Sequence, residues 1–338
     1  MTLSTPILDR ETASLRWELA MATDAPDPGN NGPTYHRPVL LAEAVEQLAV
    51  RPGGVYLDAT LGEGGHAAAI LDASGPSGMV LGIDLDPRSL VRAVERLEGY
   101  GRRLICVQGN YADMAGLVQA KGVTQVDGVL LDLGFSSRQV QEPGYGFSFR
   151  SDEPLDMRYD PAGPLTAERI VNTYSEKELA RLIFEYGEEP RSRAIARDIV
   201  RGRPVGSTAH LAGLVARTLG QRRGRRVHPA TRTFQALRIA VNGELDNLKA
   251  GLMAAVQLLA PAGTLVVISY HSLEDRAVKV ALARESAGCF CPPELPICAC
   301  GRRPGLRIVN RKVIRPSFAE VQSNPRTRSA KMRVAQRI

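Results

Sequence analysis

Short apolar runs alternate along most of this chain with longer stretches in which apolar positions recur every three or four residues, the periods of buried strands and amphipathic helices. Residues 55–59, 79–83, 104–108 and 127–131 are such runs and predict strands. Helices are predicted over 38–50, from near His66, after Asp86 as cap with Pro87 as first residue, and over 112–120. Strand–helix units in unbroken succession give an α/β fold built on a doubly wound, parallel sheet.

The alternation then stops. Residues 144–164 read as a long loop rich in Gly, Pro and charge, and only helical signals follow. Ser175 with Glu178 spells a capping box, 191–200 is amphipathic, and Ser207 or Thr208 caps a helix ending near Gly220. A helix over 230–260 leads into an apolar strand at 264–270, which resumes the earlier pattern. The chain therefore divides into an α/β domain of residues 34–145 and 230–338 and an inserted helical domain of 146–229. Residues 1–33 are expected to be a disordered tail, since 24–33 contains three Pro, two Gly and two Asn.

Composition narrows the class. No apolar run approaches the ~20 residues of a membrane span, and five cysteines in 338 residues are too few for a disulfide scaffold. Asp9, Glu11, Glu18 and Asp24 stand where a secretory leader would carry a basic start and an apolar stretch, so a soluble, cytoplasmic protein is expected. The net charge of +7 is unevenly placed: residues 301–338 hold eleven Lys and Arg against Glu320 alone, a local +10. Arg222, Arg223, Arg225 and Arg226 form a second cluster. Such patches suit a polyanionic partner or, more blandly, a solvated basic face.

Candidate chemistry gathers at the strand ends. The run VYLDAT continues into LGEGGHAAAIL, where Gly62, Gly64 and Gly65 allow a tight turn and close approach of a ligand to the backbone. The helix that follows offers unpaired N–H groups at its start. The second strand ends at Asp84, 22 residues after Gly62, where a carboxylate can accept from both hydroxyls of a ribose. The third and fourth ends place Asn110, Tyr111 and Asp113, then Asp132 with Gly134, Ser136 and Ser137. In a doubly wound sheet these ends share one crevice. Because Gly62, Gly64 and Ala67 also satisfy G-x-G-x-x-A, a nicotinamide dinucleotide and S-adenosylmethionine both stay open as ligands. Asp132 as a strand-end cap and Tyr111 as a core aromatic are the bland counterparts.

The segments HRPVLL at His36, GEGGH, GIDLDP, LLDLGFSS, GFSFRSDEPLDMRYD, HPATRTFQALRIAVNGEL, SYHSLEDR and NPRTRSAKMRVA, in this order, resemble the bacterial small-subunit rRNA methyltransferase H family across residues 35–338. The resemblance implies a class I S-adenosylmethionine-dependent methyltransferase sheet with an inserted helical domain that helps recognise RNA. It implies an enzyme that moves methyl from the cofactor S-adenosylmethionine to N4 of a cytidine in the decoding region of small-subunit (16S) rRNA, with that RNA or the assembled particle as partner and no membrane. It further implies that Gly64, Gly65 and His66 contact the cofactor, that Asp84 binds its ribose, that Tyr111 lies by the adenine, and that Asp132 and Gln139 complete the pocket.

Asp132 is also the candidate catalytic residue. Many enzymes that methylate exocyclic amines hold the amine with an Asp/Ser/Asn-Pro-Pro-aromatic motif, whereas this chain has Asp132-Leu133-Gly134-Phe135 without the prolines. A base drawn out of structured RNA needs a stacking platform, and Phe135, Phe147, Phe149 and Arg158 lie on the loops where one is expected. A nicotinamide dehydrogenase, which needs a second substrate domain, and an RNA-binding assembly factor without catalysis are the competing functions.

Three further patterns are read more cautiously. Phe234, Leu237, Val241, Leu245 and Leu248 form an apolar stripe, with Arg232, Gln235 and Asn242 opposite as an RNA-facing or solvated side. His271 is a general-base candidate, while Ser272 with Asp275 fits a helix cap at the same place. Cys289, Cys291, Cys298 and Cys300 make two C-x-C pairs that fit either a four-thiolate zinc site or reduced structural cysteines. C-x-C is a poorer bite than C-x-x-C, and no metal ligand is assigned.

Overall fold

Apolar runs become strands because a parallel sheet is covered on both faces, so nearly every position along a strand faces a helix rather than water. The computed structural model describes residues 38–220, 228–289, 291 and 300–338. Among them, seven strands form one sheet: β1 (Val55–Asp58), β2 (Met79–Asp84), β3 (Leu104–Gln108), β4 (Val126–Asp132), β5 (Leu259–Ser269), β6 (Leu306–Ile308) and β7 (Lys331–Arg337). Their order is β3-β2-β1-β4-β5-β7-β6. The first five are parallel, β7 runs antiparallel to β5, and β6 antiparallel to β7. The order reverses between β1 and β4, so a cleft outside their carboxyl ends is where this architecture places a ligand.

The C-terminal segment is part of this sheet, and that uses some of the local charge. Lys331 and Arg333 of β7 pair with Asp275 at 2.9 and 2.7 Å, and Arg337 donates to Val256 O at 2.7 Å. Arg326 and Arg328 remain exposed.

Helices follow the predicted pattern with one change here. Asp86 caps the helix Pro87–Arg96 by accepting the Arg88 N–H, and Ser175 with Glu178 forms the full capping box of Glu176–Gly187. The helix expected over 230–260 is two helices, Thr231–Asn242 and Glu244–Leu258, broken at Gly243 with φ +61°. A single glycine costs a helix only about 1 kcal/mol, so the periodicity runs through the break unmarked. The amide of Asn242 secures the break by donating to Arg238 O and Met157 O and accepting from Tyr159 N–H. The polar side of Thr231–Asn242 is therefore largely committed within the protein, since Gln235 also donates to Tyr186 O and Arg232 to Glu188 O.

The helices Ala167–Thr173, Glu176–Gly187, Ser192–Arg201 and Thr208–Leu219 bury a second apolar cluster that runs from Leu155 to Leu237 and is distinct from the cluster around the sheet. Phe234 and Leu237 of Thr231–Asn242 belong to it, so that helix serves the helical block with one end and leads to the sheet with the other. The expected tail 1–33, the Arg222, Arg223, Arg225 and Arg226 cluster, and Cys298 lie outside the described residues. No helix among the described residues is long and apolar enough to cross a membrane.

Asp86 ties the loops above the sheet together. It is fully buried and accepts hydrogen bonds from Arg88 N–H, from Ser89 Oγ at 3.2 Å, from Gln139 Nε2 at 2.9 Å and from the Tyr145 hydroxyl at 2.6 Å. Asp86→Ala removes a helix cap and leaves buried donors without partners, so it should cost on the order of 2–4 kcal/mol, seen as a lower urea midpoint with an unchanged slope. Tyr145→Phe should cost about 1 kcal/mol. Parental midpoints for both would show that these loops are held by packing alone.

Candidate functional site

Three carboxylates stand at the carboxyl ends of adjacent parallel strands: Asp58 on β1, Asp84 on β2 and Asp132 on β4. Burial raises all three from the ordinary 3.8, Asp58 to about 7, Asp84 to about 6 and Asp132 to about 7. Mutual repulsion adds to the effect, since Asp58 acts on Asp132 and Asp84 on Asp58. Asp84 is held by two backbone donors, Gly62 N–H at 2.7 Å and Asp86 N–H at 2.8 Å, and so pins the glycine turn to the end of β2. Asp132 Oδ1 accepts the Tyr270 hydroxyl at 2.7 Å. Asp58 accepts from Thr60 N–H through Oδ1, whereas its buried Oδ2 has no hydrogen-bond partner among the described residues.

The turn itself has the backbone that only glycine adopts without strain, with φ +54° at Gly62 and +77° at Gly64. A side chain at Gly64 would also meet Leu97 at 2.5 Å, and one at Gly65 would meet Pro38 at 2.3 Å. His66 is buried just after the turn, with Nε2 3.1 Å from Val39 O and Nδ1 3.7 Å from Asp132 Oδ2. Burial lowers it to about 4, so the ring is neutral. With Nε2–H donating to the carbonyl, Nδ1 is left as the lone-pair nitrogen facing Asp132.

The structure brings Asp84, Asp132, Gly64, Gly65 and His66 to one edge of the sheet. Tyr111 follows β3, with its ring against the backbone of Gly251 and its hydroxyl 3.5 Å from Glu244 O, which is a core packing as much as a ligand-facing one. Gln139 is buried and already used: Oε1 accepts from Ser136 N–H at 2.9 Å and Nε2 donates to Asp86.

Of the loop aromatics, Phe135 is 44% exposed, lies parallel to Phe147 at 6.0 Å between ring centres, and carries the Arg238 guanidinium 4.6 Å from its ring centre. Phe149 instead stacks on His228 and meets Phe234 edge-on in the helical block. Arg158 is spent on its own loop, on Asp156, Pro161 O and Gly163 O.

Several residues that the motifs did not single out complete the arrangement. Arg238 is buried and bonds both oxygens of Glu244 at 2.7 and 2.9 Å. Tyr159 places its hydroxyl 3.4 Å from Glu244 Oε1 and from Gly134 O. Tyr270 fills the space that a side chain at Gly134 would need, approaching it at 3.3 Å. Asp58 was legible by the same strand-end rule that found Asp84 and Asp132; Tyr270, Arg238 and Glu244 carry no local signal.

The cap after β5 is one register earlier than predicted. His271, not Ser272, is the N-cap of Ser272–Ser286, its Nδ1 accepting from Glu274 N–H at 3.4 Å. Glu274 answers by accepting from Tyr270 N–H and His271 N–H and lies 3.0 Å from His271 Nε2. With Nδ1 used as the cap, the structure places His271 as a helix-start residue.

The topology also bears on the ligand. A dinucleotide-binding sheet repeats its parallel half with order 3-2-1-4-5-6, whereas here an antiparallel β7 lies between β5 and β6. The second nucleotide half is absent from the described sheet.

The sequence pattern of the MraW methylase family matches residues 33–338. The ribosomal RNA small subunit methyltransferase H of Thermomicrobium roseum is 55% identical over 308 residues, which is 90% of this chain and 94% of that protein. Its namesake in Geobacter sulfurreducens is 50% identical over 309 residues, 90% of this chain and 99% of that protein. A looser likeness is to fibrillarin of Aeropyrum pernix, solved with natively bound S-adenosyl-L-methionine, at 13% identity and TM-score 0.38 over 91% of this chain and 85% of that one.

The raised carboxylates fix a pH dependence. Because Asp58 titrates near 7 instead of 3.8, the folded chain prefers its protonated form; the stability this lends is complete below pH ~4 and is lost as pH rises through about 7. Asp84 and Asp132 act in the same direction. The melting temperature of the ligand-free protein should therefore fall between roughly pH 4 and pH 7, and Asp58→Asn should flatten that fall by raising it several degrees at the upper end. A parental slope in this variant would mean that Asp58 titrates as an ordinary surface acid.

Proposed function

The chain belongs to the MraW methylase family, and we propose that it methylates the exocyclic N4 of a cytidine in the decoding region of small-subunit (16S) ribosomal RNA. It is an S-adenosylmethionine-dependent rRNA methyltransferase. The observation that carries the reading is the row of desolvated carboxylates beside the left-handed glycine turn. S-adenosylmethionine brings to a protein a sulfonium, an ammonium and ribose hydroxyls, all cationic or hydrogen-donating. Acids at Asp58, Asp84 and Asp132 fit that set, since each raised carboxyl would ionise against a cationic or hydrogen-donating ligand. Asp84 would take the ribose hydroxyls, Gly64, Gly65 and His66 would line the turn, Tyr111 would lie by the adenine, and Asp132 with Gln139 would close the pocket.

When bound, the cofactor supplies a methyl group on a good leaving group. What the protein must add is in-line placement of N4 and a destination for its proton. Asp132 is the candidate for both: near 7 it exchanges protons at working pH, and the Tyr270 hydroxyl fixes its orientation. In a segment that lacks the two prolines, Tyr270 packs on Gly134 and holds Asp132 from the neighbouring strand end. Unstacking a base costs a few kcal/mol, and the half-exposed face of Phe135, backed by Phe147 and Arg238, offers a stack in return. The helical domain of residues 146–229 and the exposed Arg326 and Arg328 extend the footprint beyond one nucleotide, which suits structured rRNA or the assembled small-subunit particle in the cytoplasm.

Transfer from methyl-labelled S-adenosylmethionine, followed by nuclease digestion and mass spectrometry, should place label on N4 of one cytidine of small-subunit rRNA. Label on adenosine, on cytosine carbon 5, on ribose or only on DNA would sink the assignment. Asp132→Asn keeps the acceptor for Tyr270 and removes the charge, so transfer should fall on the order of 10²-fold or more; S-adenosylhomocysteine affinity of the same variant separates the two roles, a value within a few-fold placing Asp132 at the target nitrogen. An equal loss in both would assign Asp132 to the cofactor. For the basic tail, Arg326→Gln with Arg328→Gln should flatten the salt dependence of RNA binding by up to about one unit of slope per lost contact. Lys331→Gln, which breaks a pair with Asp275, should lower the melting temperature and leave the slope alone. Unaltered slopes in the double variant would make the tail purely structural.

A further inference from the structure

Cys289 follows the helix Ser272–Ser286 by three residues, and Cys300 precedes β6. The sulfurs of Cys289, Cys291 and Cys300 all lie within 4.8 Å of one another, and those of Cys289 and Cys300 are 3.7 Å apart. A disulfide brings sulfurs to about 2.05 Å, well short of the Cys289–Cys300 separation. Tetrahedral zinc with bonds of about 2.3 Å sets its thiolates roughly 3.8 Å apart, the length of a tetrahedron's edge. The Cys289–Cys300 separation has that length. A second feature holds the first pair in place: the Cys291 N–H donates to Cys289 Sγ at 3.3 Å, which fixes the turn between the two residues with the sulfur as acceptor.

The surrounding backbone holds the three residues in place. Arg302 donates to Ala287 O at 3.1 Å, to Arg284 O at 2.9 Å and to Glu285 at 3.2 Å, binding the segment after Cys300 to the end of the helix. Gly305 N–H donates to Glu285 O at 2.9 Å, immediately before β6 begins at Leu306, which is buried. Two chain segments that carry thiols on the same side are thus clamped together before any ion arrives.

We propose that Cys289, Cys291 and Cys300 bind zinc(II) as a structural site that fastens the end of Ser272–Ser286 to the edge strand β6. On binding, the three thiols lose their protons and three S–Zn bonds form, with no change of oxidation state. The helix has 15 residues, so at ~1.5 Å per residue roughly 22 Å separate this cluster from His271 and the methyl-transfer site at its other end. The ion therefore takes no part in methyl transfer, and the inference is independent of that function.

The test is metal content of the full chain, purified under reducing conditions and passed over chelating resin. About one zinc per chain is expected, falling at least tenfold when Cys289, Cys291 and Cys300 are all changed to serine. Cobalt(II) added to the metal-stripped protein should give the intense visible absorption and sulfur-to-metal charge-transfer bands of tetrahedral thiolate coordination; this reading uses the unmodified sequence and does not depend on a variant folding. Cys291→His should retain metal with a shifted cobalt spectrum. Zinc at background in the parent chain, zinc undiminished in the triple variant, or a cobalt spectrum typical of oxygen ligands would each overturn the proposal.

Discussion

Removing a carboxylate from water without a counter-charge costs several kcal/mol, and this protein does so at Asp58, Asp84 and Asp132 on neighbouring strand ends. The rest of the site is arranged around that cost. Backbone N–H groups of Gly62, Asp86 and Thr60 and the hydroxyl of Tyr270 offset part of it, while Oδ2 of Asp58 is left unsatisfied. In the proposed function a cationic, hydroxyl-bearing cofactor would supply the remainder, which would link ligand binding and fold stability through the same three groups.

The sheet can carry this strain because its middle is apolar on both faces and because the loops above it are tied by specific polar contacts. Asp86 joins the helix after β2 to Gln139 and Tyr145 beyond β4. Further along, the buried Arg238 with Glu244 links three parts of the molecule: Phe135 under the guanidinium, Tyr159 of the long loop, and the break at Gly243. A buried pair of this kind adds little net stability but penalises any geometry in which either partner is alone, so it fixes position. Its effect is to hold Phe135, Tyr159 and the break at Gly243 in one arrangement.

Charge is divided in the same way between fold and ligand. Lys331, Arg333 and Arg337 look like part of a basic tail but stabilise β7, whereas Arg326 and Arg328 on the preceding turn stay in solvent. The local excess of cations is thus divided between residues with partners in the fold, Asp275 for Lys331 and Arg333 and Val256 O for Arg337, and residues in solvent.

By itself the sequence determined the five parallel strands, the glycine turn, the strand-end acids Asp84 and Asp132, and the caps at Asp86 and Ser175, because each depends on local geometry: a period of burial, a positive φ, or a side chain reaching its own backbone. The family motifs added the cofactor and the substrate class for the same reason, as strings of neighbouring residues. Only the tertiary structure decided what depends on residues distant along the chain. Tyr270 reaches Asp132 across 138 positions, the bonds from Asn242 to Met157 and Tyr159 secure the break at Gly243, and Lys331 is drawn into the sheet by pairing with Ser269 of β5, where its side chain meets Asp275. Phe149 and Arg158, placed by loop position among the stacking candidates, were drawn elsewhere by His228, Phe234 and Asp156. Local geometry is written in adjacent residues, whereas the partner of a buried polar group is chosen by packing, and packing is not local.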